Sequence, residues 1–234
     1  MSEELPVNNK KSAQFSAKIL LAEDSPINQL LMTRLLQKCG VTVTTVTDGQ
    51  SAVEKVSNGQ YDLILMDIHM PVLDGINTTQ KLRAAGVTIP IIAWTTISND
   101  NLVKNLKESG CSDVLPKPFK PEELVAILEK YLSAPPSEES IDLDKAELDK
   151  FSRKYAHDLP LLITELHAAQ KSGNREATEN LAHKLSGSVM FGFKELSNKA
   201  IQIEKNSAAE LMDQNAKLFE ELDQICQAIY AQYK

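Results

Sequence analysis

The sequence of 234 residues predicts an α/β half, built on a five-stranded parallel doubly wound sheet, followed by an all-α half folded as an antiparallel four-helix bundle. Three observations carry this. Short apolar runs alternate with amphipathic stretches through the first half, the pattern of a parallel sheet covered by helices on both faces. Paired prolines and charge in Ser133-Ala134-Pro135-Pro136-Ser137-Glu138-Glu139-Ser140 then interrupt that alternation. Beyond them the β signals vanish, leaving long stretches of 3.6-residue period that are poor in Gly and Pro. At 42% hydrophobic residues the chain can bury a core in each of two domains.

The expected strands are 18–22, 41–46, 62–66, 90–94 and 112–115, with helices between them at 26–38, 51–58, 75–85, 100–109 and 121–132. Gly40, Gly59, Gly86 and Gly110 each follow a helical pattern, where a residue free to take positive φ ends the helix. The second half reads as helices over 143–155, 158–172, 174–191, 193–206 and 208–232, with breaks at Gly173-Asn174, Gly192 and Asn206-Ser207. The domain reading is a flexible segment 1–16, a first domain 17–133, a linker 134–142 and a second domain 143–234.

Charge and cysteine usage narrow the function classes. From Ala134 onward there are 17 acids and 12 bases, against 13 and 11 over Ala17 to Ser133. An acidic second half argues against a nucleic-acid partner, which needs a basic face. Cys39, Cys111 and Cys226 are widely spaced and form no zinc pattern, so they read as reduced thiols. The first 16 residues lack a signal peptide's apolar core, and no run reaches the ~18 apolar residues of a membrane span. The expectation is a soluble, cytoplasmic chain without direct membrane contact, complete or part of something larger.

Polar residues end the strands. The apolar run 18–22 leads into Glu23-Asp24, 62–66 into Asp67, 90–94 into Thr95, and 112–115 through Pro116 into Lys117. In an open parallel sheet ligands bind at the carboxyl ends of the strands, so an acid pair, an acid, a hydroxyl and an amine converge on one edge. Glu23, Asp24 and Asp67 crowded together repel one another and call for a cation, and oxygen ligands with open positions suit Mg²⁺. Lys117 can neutralise a phosphoryl oxygen and Thr95 can donate to another. This is equipment for phosphoryl transfer with Asp67 as nucleophile. Asp74 before Gly75 reads as a helix cap. A dehalogenase-type phosphoaspartate site would need an Asp two residues after the nucleophile, where this chain has His69.

With these motifs, residues 17–133 resemble a response-regulator receiver domain of the flavodoxin-like fold. The resemblance implies that Asp67 is the phosphoacceptor and that Glu23 and Asp24 bind Mg²⁺ together with Asp67 and the backbone carbonyl of His69. It matches the family's hydroxyl to Thr95 and its Lys-Pro, a bond usually cis in relatives, to Lys117-Pro118. Where many members carry Tyr or Phe on the last strand this chain has Val114, so the usual aromatic output switch is missing. The His69 side chain is expected to lie exposed beside the site and to adjust water access.

In 176–191, Ala177, Leu181, Leu185 and Val189 recur every fourth residue as a buried stripe, which turns His183 toward solvent, with Ser186, Gly187 and Met190 on its face. A mid-helix Gly costs about 1 kcal/mol relative to Ala, so Gly187 one turn from His183 reads as room for a partner to reach the imidazole. The run Leu181-Ala182-His183-Lys184-Leu185-Ser186-Gly187-Ser188, continued by Gly192-Phe193-Lys194-Glu195-Leu196, Ala200 and Ile203-Glu204, resembles a histidine phosphotransfer (HPt) domain. The resemblance implies that His183 is a second phosphoacceptor. Members often carry Lys three residues after the His; here Ser186 stands there as a hydrogen-bond donor, and Lys184 points elsewhere. His157, before a helix-capping Asp158, and His167, on a helix surface, read as solvated.

Two phosphoacceptors of different chemistry point to a phosphorelay. The expected partners are a sensor histidine kinase that loads Asp67 and a cognate receiver served by His183, whose imidazole is expected to be neutral with an ordinary pKa near 6.5. No phosphate-cradling Gly motif is present, so the chain is not expected to be an ATP-dependent kinase, though it suits the C-terminal part of a hybrid one. The competing reading is a phosphorylation-controlled interaction module whose helical half binds a partner and carries no phosphate.

Overall fold

The computed structural model describes residues 15–96, 100–132 and 145–233. The predicted linker 134–142 lies outside them. The first half alternates strand and helix: β1 (Lys18–Ala22), α1 (Pro26–Lys38), β2 (Thr42–Val46), α2 (Gly49–Asn58), β3 (Leu63–Asp67), α3 (Gly75–Ala84), β4 (Ile91–Thr95), α4 (Asp100–Glu108), β5 (Asp113–Pro116) and α5 (Pro121–Tyr131). All pairings are parallel and the strand order is β2-β1-β3-β4-β5.

Alternation along the strands splits the core into two layers. Ile19, Leu21, Leu63, Leu65, Ile92 and Trp94 pack with α1 and α5, whereas Leu20, Ala22, Ile64, Met66, Ile91 and Ala93 pack with Ala52 of α2, Leu82 of α3 and Leu106 of α4. The central strands β3 and β4 are buried throughout, as strands covered on both faces must be.

The second half holds α6 (Lys145–Lys171), α7 (Arg175–Ser186), α8 (Lys194–Ala208) and α9 (Ala216–Tyr233), with 3-10 turns at Gly187–Phe191 and Met212–Asn215. Helices α6 and α8 each pack against both α7 and α9. Among the described residues no helix is long and apolar enough to cross a membrane. The apolar layer under α1 and α5 runs on into this half through Tyr155, Leu159, Leu185, Leu196 and Leu222.

Several expectations need correction. The helices expected at 143–155 and 158–172 are one, with Pro160 inside it. Proline costs about 3 kcal/mol inside a helix, yet the buried stripe Tyr155-Ala156-Leu159-Ile163-Leu166 runs straight across it, so packing overrides the local signal. His157 is therefore exposed within a helix, 3.3 Å from Asp158, and precedes no cap. His167 is half exposed and tied to α9, Nε2 2.8 Å from Asp223 Oδ1, instead of simply solvated. Helix α8 continues through Asn206-Ser207 to Ala208, where the buried Ser207 hydroxyl is satisfied by the carbonyl of Ile203.

The predicted flexible segment 1–16 is also too long. Phe15 is 1% exposed and its N–H donates to the carbonyl of Cys39. Gly40, Gly86 and Gly110 take positive φ, but Gly59 ends its helix at φ −137°, an extended conformation. The three cysteines are free and buried.

Candidate functional site

Strand register assembles the first cluster. Ala22 pairs with Met66, so Glu23 comes level with Asp67; Asp67 pairs with Trp94, just before Thr95; Thr95 pairs with Pro116, just before Lys117. Asp67 and Thr95 are fully buried, and Glu23 and Lys117 nearly so. The Lys117 ammonium lies 2.7 Å from Glu23 Oε2 and 3.0 Å from Asp67 Oδ2, over the Trp94 ring. Asn28 Nδ2 and the Ser25 N–H donate to Glu23 Oε1, and the Ile68 N–H to Asp67 Oδ1. Ligand atoms of Glu23, Asp24 and Asp67 lie within 4.8 Å of one another, the all-oxygen set that suits Mg²⁺. The peptide bond Lys117-Pro118 is cis.

The loop after β3 is shaped around Asp67. Asp74 caps α3, accepting from the N–H of Asn77 as expected. Gly75 packs so tightly beneath it that a Cβ would stand 2.1 Å from the carbonyl oxygen of Asp67, so no side chain fits there.

Charge in the cluster follows from burial and neighbours. Burial and the nearby Asp67 carboxylate push Glu23 up to about 7, while Lys117 opposes them. Burial likewise pushes Asp67 up, but the Lys117 charge and His183 outweigh it and hold this carboxyl well below the usual range. Burial disfavours the Lys117 ammonium, yet Asp67 and Glu23 raise it to about 12. At neutral pH, Asp67 is ionised against a cationic amine.

The second half completes the site. His183 Nε2 lies 3.8 Å from Asp67 Oδ2, and its Nδ1 lies 3.1 Å from Glu204 Oε1 on α8. Its ring meets that of His69 with centroids 4.2 Å apart. Lys184 Nζ bridges to Asp24 Oδ2 at 3.0 Å, and the Ser186 hydroxyl faces Thr96 Oγ1 at 3.4 Å. Farther out, Glu147 of α6 pairs with Arg34 and Lys38 of α1.

Four readings of the histidine region change. His183 does not face solvent: it is 5% exposed, because the first half docks on that side of α7. The buried positions of α7 are Thr178, Ala182, His183, Leu185 and Ser186, with Ala177 and Leu181, and Val189 beyond the helix, only partly covered. Gly187 is not mid-helix but the cap where α7 gives way to a 3-10 turn, and its added Cβ would stand 2.9 Å from Asn28 Nδ2 of α1. It does serve close approach, with this chain's own first half as the neighbour. Nor is the imidazole neutral here: burial disfavours its charge, but the Asp67 and Glu204 carboxylates overcome that and raise His183 to about 10.

The Ser186 hydroxyl donates to the carbonyl of His183 at 2.7 Å, so it is engaged with backbone and the seam. His69 is partly covered, where exposure was expected, because the helical half lies against it. Lys184 does point elsewhere, onto Asp24. Sequence reasoning assigned no role to Glu204, although an acid among Leu196, Ala200 and Ile203 on the apolar face of α8 is a readable signal.

Residues 19–129 match the sequence model of the response regulator receiver domain. Over 117 residues the chain is 44% identical to the transcription factor SKN7 of Candida albicans, covering 50% of this chain but only 21% of that protein. It is 38% identical over 131 residues to the two-component response regulator 24 of Arabidopsis thaliana, covering 56% of this chain and 91% of that one. A similarity reaching into the second half is to the sensor histidine kinase GacS of Pseudomonas protegens, 26% identical over 242 residues, covering 91% of this chain and 26% of the kinase.

Proposed function

Because this chain belongs to the response regulator receiver family through its first half, we propose that it carries both stations of an aspartate–histidine phosphorelay, with the helical half acting as an HPt four-helix bundle. The observation that carries this is the 3.8 Å approach of His183 Nε2 to Asp67 Oδ2 while Nδ1 is held by Glu204. In this reading a sensor histidine kinase phosphorylates Asp67, and His183 takes the group and gives it to a separate receiver aspartate, or runs the same steps in reverse. The chain is a phosphotransfer protein of the cytoplasm, not an ATP-dependent kinase, and needs neither nucleic acid nor direct membrane contact.

Asp24, Asp67 and the His69 carbonyl, with Glu23 behind them, are the groups that would hold Mg²⁺, which supplies charge neutralisation at the phosphoryl oxygens when bound. Lys117 and Thr95 serve the remaining oxygens. In the forward step the Nε2 lone pair of neutral His183 forms the N–P bond. The P–O bond to Asp67 breaks, and its electron pair returns to the carboxylate. The ring proton stays on Nδ1, donated to Glu204, which fixes the tautomer that leaves Nε2 free.

The unloaded site is closed around an imidazolium bridging two carboxylates, so His183 must lose one proton before it attacks. An in-line attack also needs Nε2 and the leaving oxygen about 5 Å apart, with phosphorus between them. The halves therefore part by roughly 1 Å when the site is loaded, measured against the present 3.8 Å.

Loading the chain from a kinase and sorting its phosphate by stability tests the reading. Wild type should carry base-labile acyl phosphate and acid-labile phosphohistidine, Asp67→Asn neither, and His183→Gln only the acyl phosphate. If His183→Gln still supplies a cognate receiver, the relay reading fails and the interaction-module reading takes its place.

A further inference from the structure

Two groups of metal-ligating side chains share the seam, and they differ in chemistry. Glu23, Asp24 and Asp67 offer oxygen only. His69, His183 and Glu204 offer two imidazoles and a carboxylate, with ligand atoms within 4.8 Å of one another. The second set spans the seam, since His69 follows β3 whereas His183 and Glu204 belong to α7 and α8. Imidazole donors favour ions such as zinc, which the all-oxygen cluster does not.

Two of the separations suit such an ion. A tetrahedral zinc ion with ligands at 2.0–2.1 Å holds its ligand atoms about 3.3 Å apart. Glu204 Oε1 lies 3.1 Å from His183 Nδ1 and 3.7 Å from His69 Nε2, on either side of that value. Glu204 is 3% exposed, and among the described residues neither its second oxygen nor His69 Nδ1 has a hydrogen-bond partner. A buried carboxylate oxygen left without a donor is costly, so the pocket has an unmet demand for positive charge. One of the three, His69, also lines a groove of about 410 Å³ shared with Pro71, Asp74, Glu176 and Glu179.

We propose that His69, His183 and Glu204 form a second divalent-cation site, for an ion of the zinc class, that clamps the two halves together and takes His183 out of phosphoryl transfer. An ion there binds the Nδ1 lone pair of His183 and expels that proton to solvent. The ring's one remaining proton then sits on Nε2, the atom facing Asp67, which leaves no lone pair to attack phosphorus. Glu204 thus selects the accepting tautomer when it accepts a hydrogen bond from Nδ1–H and the silent one when it shares an ion with Nδ1. The blocking effect rests on His183 being a phosphoacceptor; the binding does not.

The test titrates the metal-stripped full chain with Zn²⁺ against a chromophoric chelator in excess Mg²⁺. The expected result is one tight equivalent, weakened at least about 100-fold by His69→Ala and by the isosteric Glu204→Gln, and unaltered by His157→Ala. Absence of a tight equivalent in wild type, or tight binding that survives both substitutions, overturns the site. In a second arm, one equivalent of Zn²⁺ should halt passage of phosphate from Asp67 to His183. Transfer that continues with zinc bound overturns the blocking effect. If zinc-free chain in the same excess of Mg²⁺ shows no transfer at all, the phosphoacceptor reading has failed and the titration alone decides the site.

Discussion

Asp67 and His183 are both buried charges, but one is held by its own domain and the other by the meeting of two. Among the described residues, the groups that contact Asp67 other than His183 come from the first half: Glu23, Lys117 and the Ile68 N–H are set by strand register in a sheet buried on both faces. His183 takes Glu204 from its own half, and Asp67 and the His69 ring from the other. The aspartate site is preorganised by the fold, while the histidine site exists only while the seam is closed. Reactivity at Asp67 should therefore tolerate loosening of the seam, and transfer to His183 should not.

The largest expected effects come from removing each station. Asp67→Asn should abolish phosphate uptake, a loss of at least ~10³-fold, because no other carboxylate at the edge has the Lys117 contact together with the Ile68 N–H. His183→Gln should leave uptake at Asp67 intact and lose onward transfer to the same extent. Radiolabel incorporation with a kinase, then with a separate receiver, reads both.

Next come the two lysines. Lys117→Met leaves Glu23 and Asp67 facing one another without a cation, and stranding buried charges costs about 3–5 kcal/mol. Lys184→Met removes a partner that is one-third exposed but leaves Asp24, 7% exposed, without its cation, and should cost roughly 1–2 kcal/mol, less than the loss of Lys117. Urea denaturation of both variants measures that contrast, and equal costs would erase the distinction between a preorganised site and a docked one.

Gly187→Val sharpens the comparison from the helical side. Its side chain would push against Asn28, part the seam and slow transfer to His183 roughly 10–100-fold. Uptake at Asp67 should persist. Amide exchange should quicken in α1 and α7 but not in β3 or β4.

The smallest effect is a pH dependence of the seam. His183 is raised from 6.5 to about 10 in the folded chain. Its stabilising contribution is therefore complete below about 6.5 and is lost as pH rises through about 10. Amide exchange at the seam, corrected for its intrinsic pH dependence, should rise over that window in wild type and stay flat in His183→Gln.

These contrasts also explain what could be read from residues alone. The strand ends carrying Glu23, Asp24, Asp67, Thr95 and Lys117 were legible because a parallel sheet brings its carboxyl edge together whatever else the chain does. The helix bearing His183 was legible as a helix, though not its buried face. Its burial, its bond to Glu204 and the Lys184–Asp24 bridge were not, because they depend on where one half rests on the other. Pro160 misled for the same kind of reason: a local signal said stop, while a stripe of buried side chains from Tyr155 to Leu166 said continue.

The central claim, that phosphate passes between the two stations inside one molecule, is met most directly by following phosphohistidine formation after loading Asp67 in wild type and in an equimolar mixture of Asp67→Asn and His183→Gln chains. Wild type should transfer at a rate independent of chain concentration, and the mixture, which can react only between molecules, should be far slower and rise with concentration. If the mixture matches wild type and both rates scale with concentration, the seam between Asp67 and His183 is not the route.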